Sequence, residues 1–354
     1  MTALRASGLT ASGFDVVALG SAIVDLLVPV SPQTVAEAGL EAGTMTLIDE
    51  SEAERLWGHF GAGGQVVAGG SAANTAVGVA ALGGRAALVG RVGGDALGSA
   101  YAEDLGRAGV SFPAPGGPAG PSGHGQASSA EPGNGTGCCY IIVTPDGQRT
   151  MRTYLGTAPD IAPAAVQAAL TGGAAFVYLE GYLWDAPAAS AAVQRAIDAA
   201  PAAGARRALT LSDPGCVERN RDGLLELIGA GAVDVLFANE SEITGLWGTT
   251  DFDRAVGETR AHCPLAALTR GAEGSVVVTP GDTLAVAAAP ARVVDTTGAG
   301  DLYAAGFLTG LAAGLDLKAC AALAGLAAAD IISEYGARPH GDIRARARSE
   351  GLLI

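Results

Sequence analysis

Apolar residues follow two rhythms along this chain. Short unbroken runs at Phe14–Ser21, Val24–Val30, Arg85–Gly90, Phe176–Glu180, Ala208–Ser212, Val233–Ala238 and Leu265–Thr269 read as strands. Longer alanine-rich stretches of helical character lie between most of them, including one from Ser71, which can cap it, to about Leu82 and one near Ala96–Ala108. This alternation predicts an α/β fold: a doubly wound, mostly parallel sheet covered on both faces, with ligands at the C-terminal ends of its strands. Short strands near Thr44–Ile48, Gln65–Ala68, Cys139–Thr144 and Arg149–Leu155 show no helices between them. Within 24–68 and 138–156 such strands predict a small separate sheet, a β-sheet lid on a single domain spanning 14–350.

Between Phe112 and Gly137 the chain turns Pro-, Gly- and Ser-rich, too poor in apolar surface to offset its ordering entropy, which predicts a flexible surface insertion. The apolar runs Leu302–Leu315 and Leu317–Ile332 are interrupted by Gly314, Asp316, Lys318 and Asp330, so they read as buried helices rather than membrane spans. Gly306, Gly310 and Gly314 share one helical face and invite close approach of another helix.

Composition narrows the function. With 354 residues, 49% hydrophobic and 16% charged, the chain can bury a large core. A net charge of −15 argues against nucleic acid and anionic membranes as partners and favours a small-molecule substrate. The five cysteines, Cys138, Cys139, Cys216, Cys263 and Cys320, are odd in number and lack metal-type spacing, which fits a reducing cytoplasm. Met1–Gly13 does not read as a signal peptide. Monomer and homodimer both remain open.

The chemistry concentrates at Val293-Val294-Asp295-Thr296-Thr297-Gly298-Ala299-Gly300-Asp301, directly before the Leu302 helix. Its glycines allow close backbone approach to a ligand. The first amides of the following helix have no internal partners and form an anion-binding nest. Asp301 would repel that anion unless it has a task, and taking a proton from an attacking hydroxyl is the obvious one. A glycine turn with an acid favouring a helix N-terminus explains the same residues.

Gly69-Gly70-Ser71-Ala72-Ala73-Asn74 joins a double-glycine turn to a helix start, where Asn74 can donate to and accept from a polyol, or the segment is simply a capped turn. Asp25 is a further candidate ligand. Asp95, after Gly93-Gly94, reads as a helix cap. Asn239-Glu240-Ser241-Glu242 follows an apolar strand and offers oxygen ligands suited to hydrated Mg2+, although acids at a helix start are common without one. Thr269-Arg270-Gly271 ends another strand as a wall for nucleotide phosphates or as a plain hairpin turn.

In order and spacing these segments resemble the ribokinase-like carbohydrate and nucleoside kinase family, from Phe14 to about Tyr335. Two motifs carry the resemblance: the double-glycine segment at Gly69–Asn74, continuing through Gly98, and D-T-x-G-A-G-D at Asp295–Asp301. The resemblance implies a ribokinase-like fold and ATP-dependent phosphorylation of a sugar or nucleoside hydroxyl. Asp301 would be the general base, and the amides of Gly298, Ala299 and Gly300 the anion hole. Asp25, Gly69, Gly70 and Asn74 would hold the acceptor, and Asn239 and Glu242 would organise Mg2+ through water. Thr269, Arg270 and Gly271 would line the ATP site, with Arg270 standing where many relatives have lysine. Asp295 and Thr297 match positions that help form a monovalent-cation (K+) site in several members.

Thr144-Pro145-Asp146-Gly147-Gln148-Arg149-Thr150-Met151 with Thr153-Tyr154-Leu155-Gly156 resembles the adenosine-kinase-like branch, in which Arg149 would reach the transferring phosphate. Adenosine therefore leads over free sugars as acceptor, and Leu26, Val28, Met45, Leu47 and Tyr154 are candidates for a base slot or for lid core. A sugar kinase and a non-catalytic nucleoside- or sugar-binding regulator are the alternatives. A dinucleotide-binding reading fails because Tyr303 replaces the third glycine of G-x-G-x-x-G, and no P-loop sequence occurs.

Overall fold

The computed structural model describes residues 13–41, 44–112, 135–145, 149–339 and 341–353. Two sheets organise it. The large one has nine strands: β1 (Phe14–Leu19), β5 (Ala86–Val89), β6 (Val110–Ser111), β9 (Ala174–Glu180), β10 (Arg206–Thr210), β11 (Val235–Asn239), β12 (Ala266–Thr269), β13 (Ser275–Val278) and β14 (Thr283–Val286). Their spatial order is β14-β13-β12-β11-β10-β9-β1-β5-β6; β12 through β6 run parallel, and β13 and β14 close one edge as antiparallel hairpins. Central strands such as β9 are buried at every position, which explains why the sequence shows continuous apolar runs there rather than alternation.

The small sheet has five strands in the order β3 (Met45–Leu47), β8 (Arg149–Gly156), β7 (Thr136–Val143), β2 (Ile23–Pro29) and β4 (Gln65–Ala68). Two helices read as absent from the sequence cover it. α1 (Pro32–Glu37) starts at Ser31, whose hydroxyl accepts from the Thr34 amide, and α2 (Glu50–Phe60) starts at Asp49, which accepts from the Glu52 amide. α2 buries only Ala53, Leu56 and Phe60, so its apolar stripe is too thin to stand out in a polar stretch.

The remaining helices wrap the large sheet: α3 (Ser71–Ala81), α4 (Ala96–Arg107), α5 (Pro163–Leu170), α6 (Ser190–Ala199), α7 (Pro214–Gly229), α8 (Glu240–Trp247), α9 (Phe252–His262), α10 (Ala299–Ala312), α11 (Leu317–Ile331) and α12 (Ile343–Ser349). No described helix is long and apolar enough to cross a membrane. One apolar cluster covers each main face, and the first runs on without a break into the small sheet through Val24, Leu26 and Val28.

α10 is the pivot of the packing. A Cβ on Gly306 would fall 2.7 Å from Ala324 Cα, and one on Gly310 would fall 3.0 Å from Cys320 Cα, so α10 and α11 meet backbone to backbone. Gly314, predicted to share that face, instead ends the helix at φ 76° with nothing nearby. On another side of α10, a Cβ on Gly78 of α3 would fall 2.6 Å from the Ala305 methyl. The N-termini of α3 and α10 are thereby brought together.

Most of the predicted insertion lies outside the described residues. Its ends do not belong to it: Phe112 packs its ring edge-on against Tyr101 with centroids 5.4 Å apart, and Thr136 and Gly137 open β7. The Asp95 carboxylate caps α4 through the Gly98 amide and also accepts from the Thr136 amide (2.7 Å) and hydroxyl (2.6 Å), pinning the start of that lid strand.

Candidate active site

Gly298 takes φ 76°, a left-handed conformation that fits glycine, and its Cα faces Ala337 so closely that a Cβ would lie 2.8 Å from the Ala337 methyl. This turn aims the first amides of α10 into a cavity of about 530 Å3 lined by Gly298, Ala299, Gly300 and Asp301. The amides of Gly298 and Gly300 have no hydrogen-bond partner among the described residues, whereas the Ala299 amide donates to Thr296 O at 3.3 Å. The anion nest therefore rests on Gly298, Gly300 and the start of α10, with Ala299 partly committed elsewhere.

Asp301 sits at the meeting point of α3 and α10. The Ser71 hydroxyl donates to Asp301 Oδ1 at 2.6 Å and Asn74 Nδ2 donates to Asp301 Oδ2 at 2.9 Å. Gly70, at φ 93°, is the residue that opens α3, so Ser71 is its first helical residue rather than the predicted cap, and its hydroxyl is released for Asp301. Asn74 Oδ1 is buried without a partner, an acceptor waiting for a hydroxyl. Burial pushes the Asp301 carboxyl above the usual carboxylate range, opposed by the Ser71 and Asn74 hydrogen bonds and by the charge of Arg338.

The predicted acceptor residues lie beside it. A Cβ on Gly69 would touch the Asp25 carboxyl at 2.4 Å, so only glycine lets that backbone lie against the acid. Burial raises Asp25 to about 7, with Arg338 pulling down and Asp301 pushing up. Cross-strand pairing puts Asp25 on the same sheet face as its partner Cys139, and Leu27 on that face with Ile141, Met151 and Met45 in turn. Leu47, opposite Thr153, shares it; Met45 and Leu47 are 38% and 48% exposed. Leu26, Val28 and Tyr154 point to the other face, into the core cluster beneath the lid helices, and do not form a slot beside Asp25.

Toward the other end, Asn239, Glu242, Thr269 and Gly271 line the cavity together with Ala287, Ala289 and Gly325. Asn239 and Glu242 are committed to a capping box on α8: the Asn239 amide donates to Glu242 Oε2 (2.9 Å), Asn239 Nδ2 to Oε1 (2.6 Å), and the Glu242 amide returns to Asn239 Oδ1 (2.9 Å). Burial raises Glu242 to about 7. Its oxygens each keep a lone pair beside the cavity, which suits the water shell of Mg2+, a cation that needs few protein carboxylates when phosphates share it.

Arg270 departs from expectation. Its guanidinium is spent on Glu240 (3.2 Å), on Glu273 (2.7 Å) and on the Phe252 ring (4.3 Å), outside the cavity lining, so it builds the hairpin corner instead of a phosphate wall.

Three residues that the sequence did not single out complete the site. Glu180, fully buried at the end of β9, accepts from the Ser21 amide (2.6 Å) and the Ala72 amide (2.9 Å), tying the exit of β1 to the first turn of α3. Ser212 is the one non-glycine residue with a positive φ (73°) among the described residues, and its buried Oγ lines the cavity unpartnered. Arg338 donates to Ala68 O and Ala73 O from a loop beyond α11. Strand ends and loops give no periodic signal, so only chain folding assembles these three.

A family model for the pfkB family of carbohydrate kinases matches residues 58–113 and 128–342. The chain belongs to that family. It is a phosphotransferase with an alcohol acceptor, acting on nucleosides or sugars. It is similar to the crystal structure of adenosine kinase from Sinorhizobium meliloti, at 41% identity and a TM-score of 0.83 over 95% of this chain and 99% of that one. It is also similar to a probable sugar kinase from Rhizobium etli, at 37% identity and a TM-score of 0.85 over 97% and 100% of the two chains. A nucleoside kinase of Methanothermobacter thermautotrophicus is 27% identical over 76% of this chain and 79% of its own length.

The monovalent-cation site expected in such a kinase does not fit here. Asp295 Oδ1 accepts from the Thr297 amide (2.9 Å) and pairs with the Arg149 guanidinium, and Oδ2 accepts from the Gly336 amide (2.9 Å). Burial works to raise this carboxyl, but Arg149 and the two amides outweigh it and leave it below the usual range. A K+ ion would meet a guanidinium already in place. Arg149 thus links strand β8 to the turn before the anion nest; Asp146–Gln148 of its motif lie outside the described residues.

Proposed function

We propose that this kinase transfers the terminal phosphoryl group of ATP to the primary ribose hydroxyl of adenosine, giving AMP. Asp25 beside the half-exposed apolar face of Leu27, Met45, Leu47 and Met151 carries the reading. A carboxylate suits ribose hydroxyls and an adjoining apolar surface suits a purine, whereas a free sugar would want polar groups there. The similarity to the Sinorhizobium meliloti adenosine kinase supports the same acceptor.

Phosphoryl transfer asks mainly for alignment and charge stabilisation. In this reading Asn74 Oδ1 and Asp25 receive ribose hydroxyls, and Asp301 takes the proton of the attacking one. Ser71 and Asn74 hold the Asp301 carboxylate in a fixed orientation before the acceptor arrives. The amides of Gly298 and Gly300 receive negative charge on the transferring group, and the lid face shields the reaction from water. Mg2+, held through water by Glu242 and by the nucleotide phosphates, would neutralise charge on the triphosphate.

A pentose or hexose is the second reading, favoured by the similarity to the Rhizobium etli probable sugar kinase. Initial rates of ADP release with ATP, Mg2+ and adenosine, ribose or fructose separate the two. The expected result is adenosine-dependent ADP release with AMP as product. ADP release with a free sugar and none with adenosine replaces the first reading by the second, and tight adenosine binding without ADP overturns catalysis.

A further inference from the structure

Arg338 lies 37 residues beyond Asp301 in the chain, yet it returns to the acceptor side of the site. Its Nε donates to Ala68 O at 2.9 Å and its Nη1 to Ala73 O at 3.4 Å. These carbonyls bracket Gly69 and Gly70, the turn that presses on Asp25 from one side and launches Ser71 and Asn74 toward Asp301 on the other. The third nitrogen, Nη2, is buried with no hydrogen-bond partner among the described residues. A guanidinium with an unspent, water-deprived N–H is costly unless nearby negative charge repays it.

Negative charge is abundant there. Asp25 on β2, Glu180 on β9 and Glu242 on α8 each feel the charge of Asp301 on α10, as do Tyr178 and Tyr182, and Asp213 adds its charge at Glu242 and Tyr182. Arg149 reaches Asp25 electrostatically from the lid, but its guanidinium is bound to Asp295. Arg338 acts on both Asp25 and Asp301. Two carboxylates in one water-poor site oppose each other's ionisation, and the proposed reaction needs both ionised, one to accept ribose hydroxyls and one to accept a proton.

We propose that Arg338 is a positioning residue for the transfer: it supplies the positive charge that Asp25 and Asp301 share and clamps the Gly69–Gly70 turn against which both acids work. The proposal rests on Asp301 being the base and Asp25 the acceptor ligand, and it adds the group that lets them serve together. The fork geometry matters as well as the charge, since one planar head spans two carbonyls; lysine can supply the charge without the span.

The test follows kcat/KM for the acceptor, and acceptor affinity by calorimetry, from pH 5.5 to 9 in wild type, Arg338→Gln, Arg338→Met and Arg338→Lys, with thermal midpoints to report folding. Burial already holds Asp25 near 7 with Arg338 present, so removing the cation should move the acid limb to higher pH by about one unit or more. Activity of the neutral variants should then drop roughly tenfold at pH 7 and recover toward pH 9. Arg338→Lys should keep the wild-type limb with a lower plateau. A uniform loss in the neutral variants with an unmoved limb overturns the proposal, because a clamp alone lowers rate without changing protonation. So does unfolding of both neutral variants while Arg338→Lys stays folded, which would assign Arg338 to the fold. A wild-type protein that binds acceptor with an Arg338-dependent limb but transfers no phosphate would sink the kinase reading separately.

Discussion

The two walls of the cavity are built from opposite materials. The acceptor wall, which Asp301 lines, is dense in charge: Asp25, Glu180 and Arg338 all act electrostatically on Asp301, and Glu180 holds the Ser21 and Ala72 amides in place. The donor wall, along residues 287–289 and α11, presents Ala287, Ala288, Ala289, Ala321, Gly325, Ala328 and Ile332, without a charged side chain. Recognition on the first wall depends on protonation state and on hydrogen-bond partners; on the second it depends on shape and backbone. A small molecule whose hydroxyl must be deprotonated needs the first kind, and a planar base whose phosphates are gripped elsewhere needs only the second.

Substitutions can break this contrast one wall at a time. The largest effect belongs to Asp301→Asn, expected to lower kcat by roughly 10²- to 10⁴-fold with little change in either KM, as for loss of a general base. Near wild-type turnover in steady-state assays would remove Asp301 from the chemistry. Asp25→Asn should raise the acceptor KM by about 10- to 100-fold, the loss of charged hydrogen bonds, and leave the KM for ATP unchanged; a matching rise in both would show that the walls are not separable.

Gly325→Leu tests the other side. A Cβ there has no neighbour nearer than Ala289 N at 3.9 Å, and leucine favours the helix, so the side chain should fill the slot without unfolding α11. The expected outcome is an increase of about tenfold in the KM for ATP with the acceptor KM intact, measured by varying each substrate in turn.

The charged wall also sets a pH dependence that the donor wall lacks. Burial raises Asp25 and Glu180 to about 7, well above the ordinary carboxylate range of about 4. The folded state therefore holds protons that the unfolded chain has released, and the stability from these groups is lost as pH rises from near 4 through 7. Thermal midpoints should fall by several degrees across that window while activity climbs, and the fall should shrink in Glu180→Gln. A midpoint that instead rises across the window would show that these acids are ionised comfortably in the fold. The smallest effect concerns salt: with Arg149 bound to Asp295, replacing K+ by a bulky organic cation should change the rate less than about twofold. Strong activation by K+ would mean that Arg149 leaves Asp295 in the working enzyme.

The sequence revealed the donor and acceptor walls unequally. Asn74 and Asp301 were legible because the glycines just before them mark places where backbone can approach a ligand, and Asp25 because an acid follows directly on the first apolar strand; the structure brings these three together. The alternating strands and helices of the large sheet were legible because buried parallel strands are continuous apolar runs. Ala53, Leu56 and Phe60 could have exposed α2 by their spacing, as could the Asp49 cap. Arg338 and Glu180 carry no local mark, for their partners lie 270 and 108 residues away. Arg270 misled because a cation after a strand says nothing about which way it turns; Glu240 and Glu273 decided that.

The absence of side chains at Gly306 and Gly310 leaves α10 wedged against α11 with no room for a single methyl. A shaft seated that way can neither roll nor slide, so the nest at its tip is a fixed anvil. Any accommodation to a larger or differently shaped acceptor must then come from the small sheet, and inherited changes in substrate range should accumulate in its strands while the last two long helices stay still.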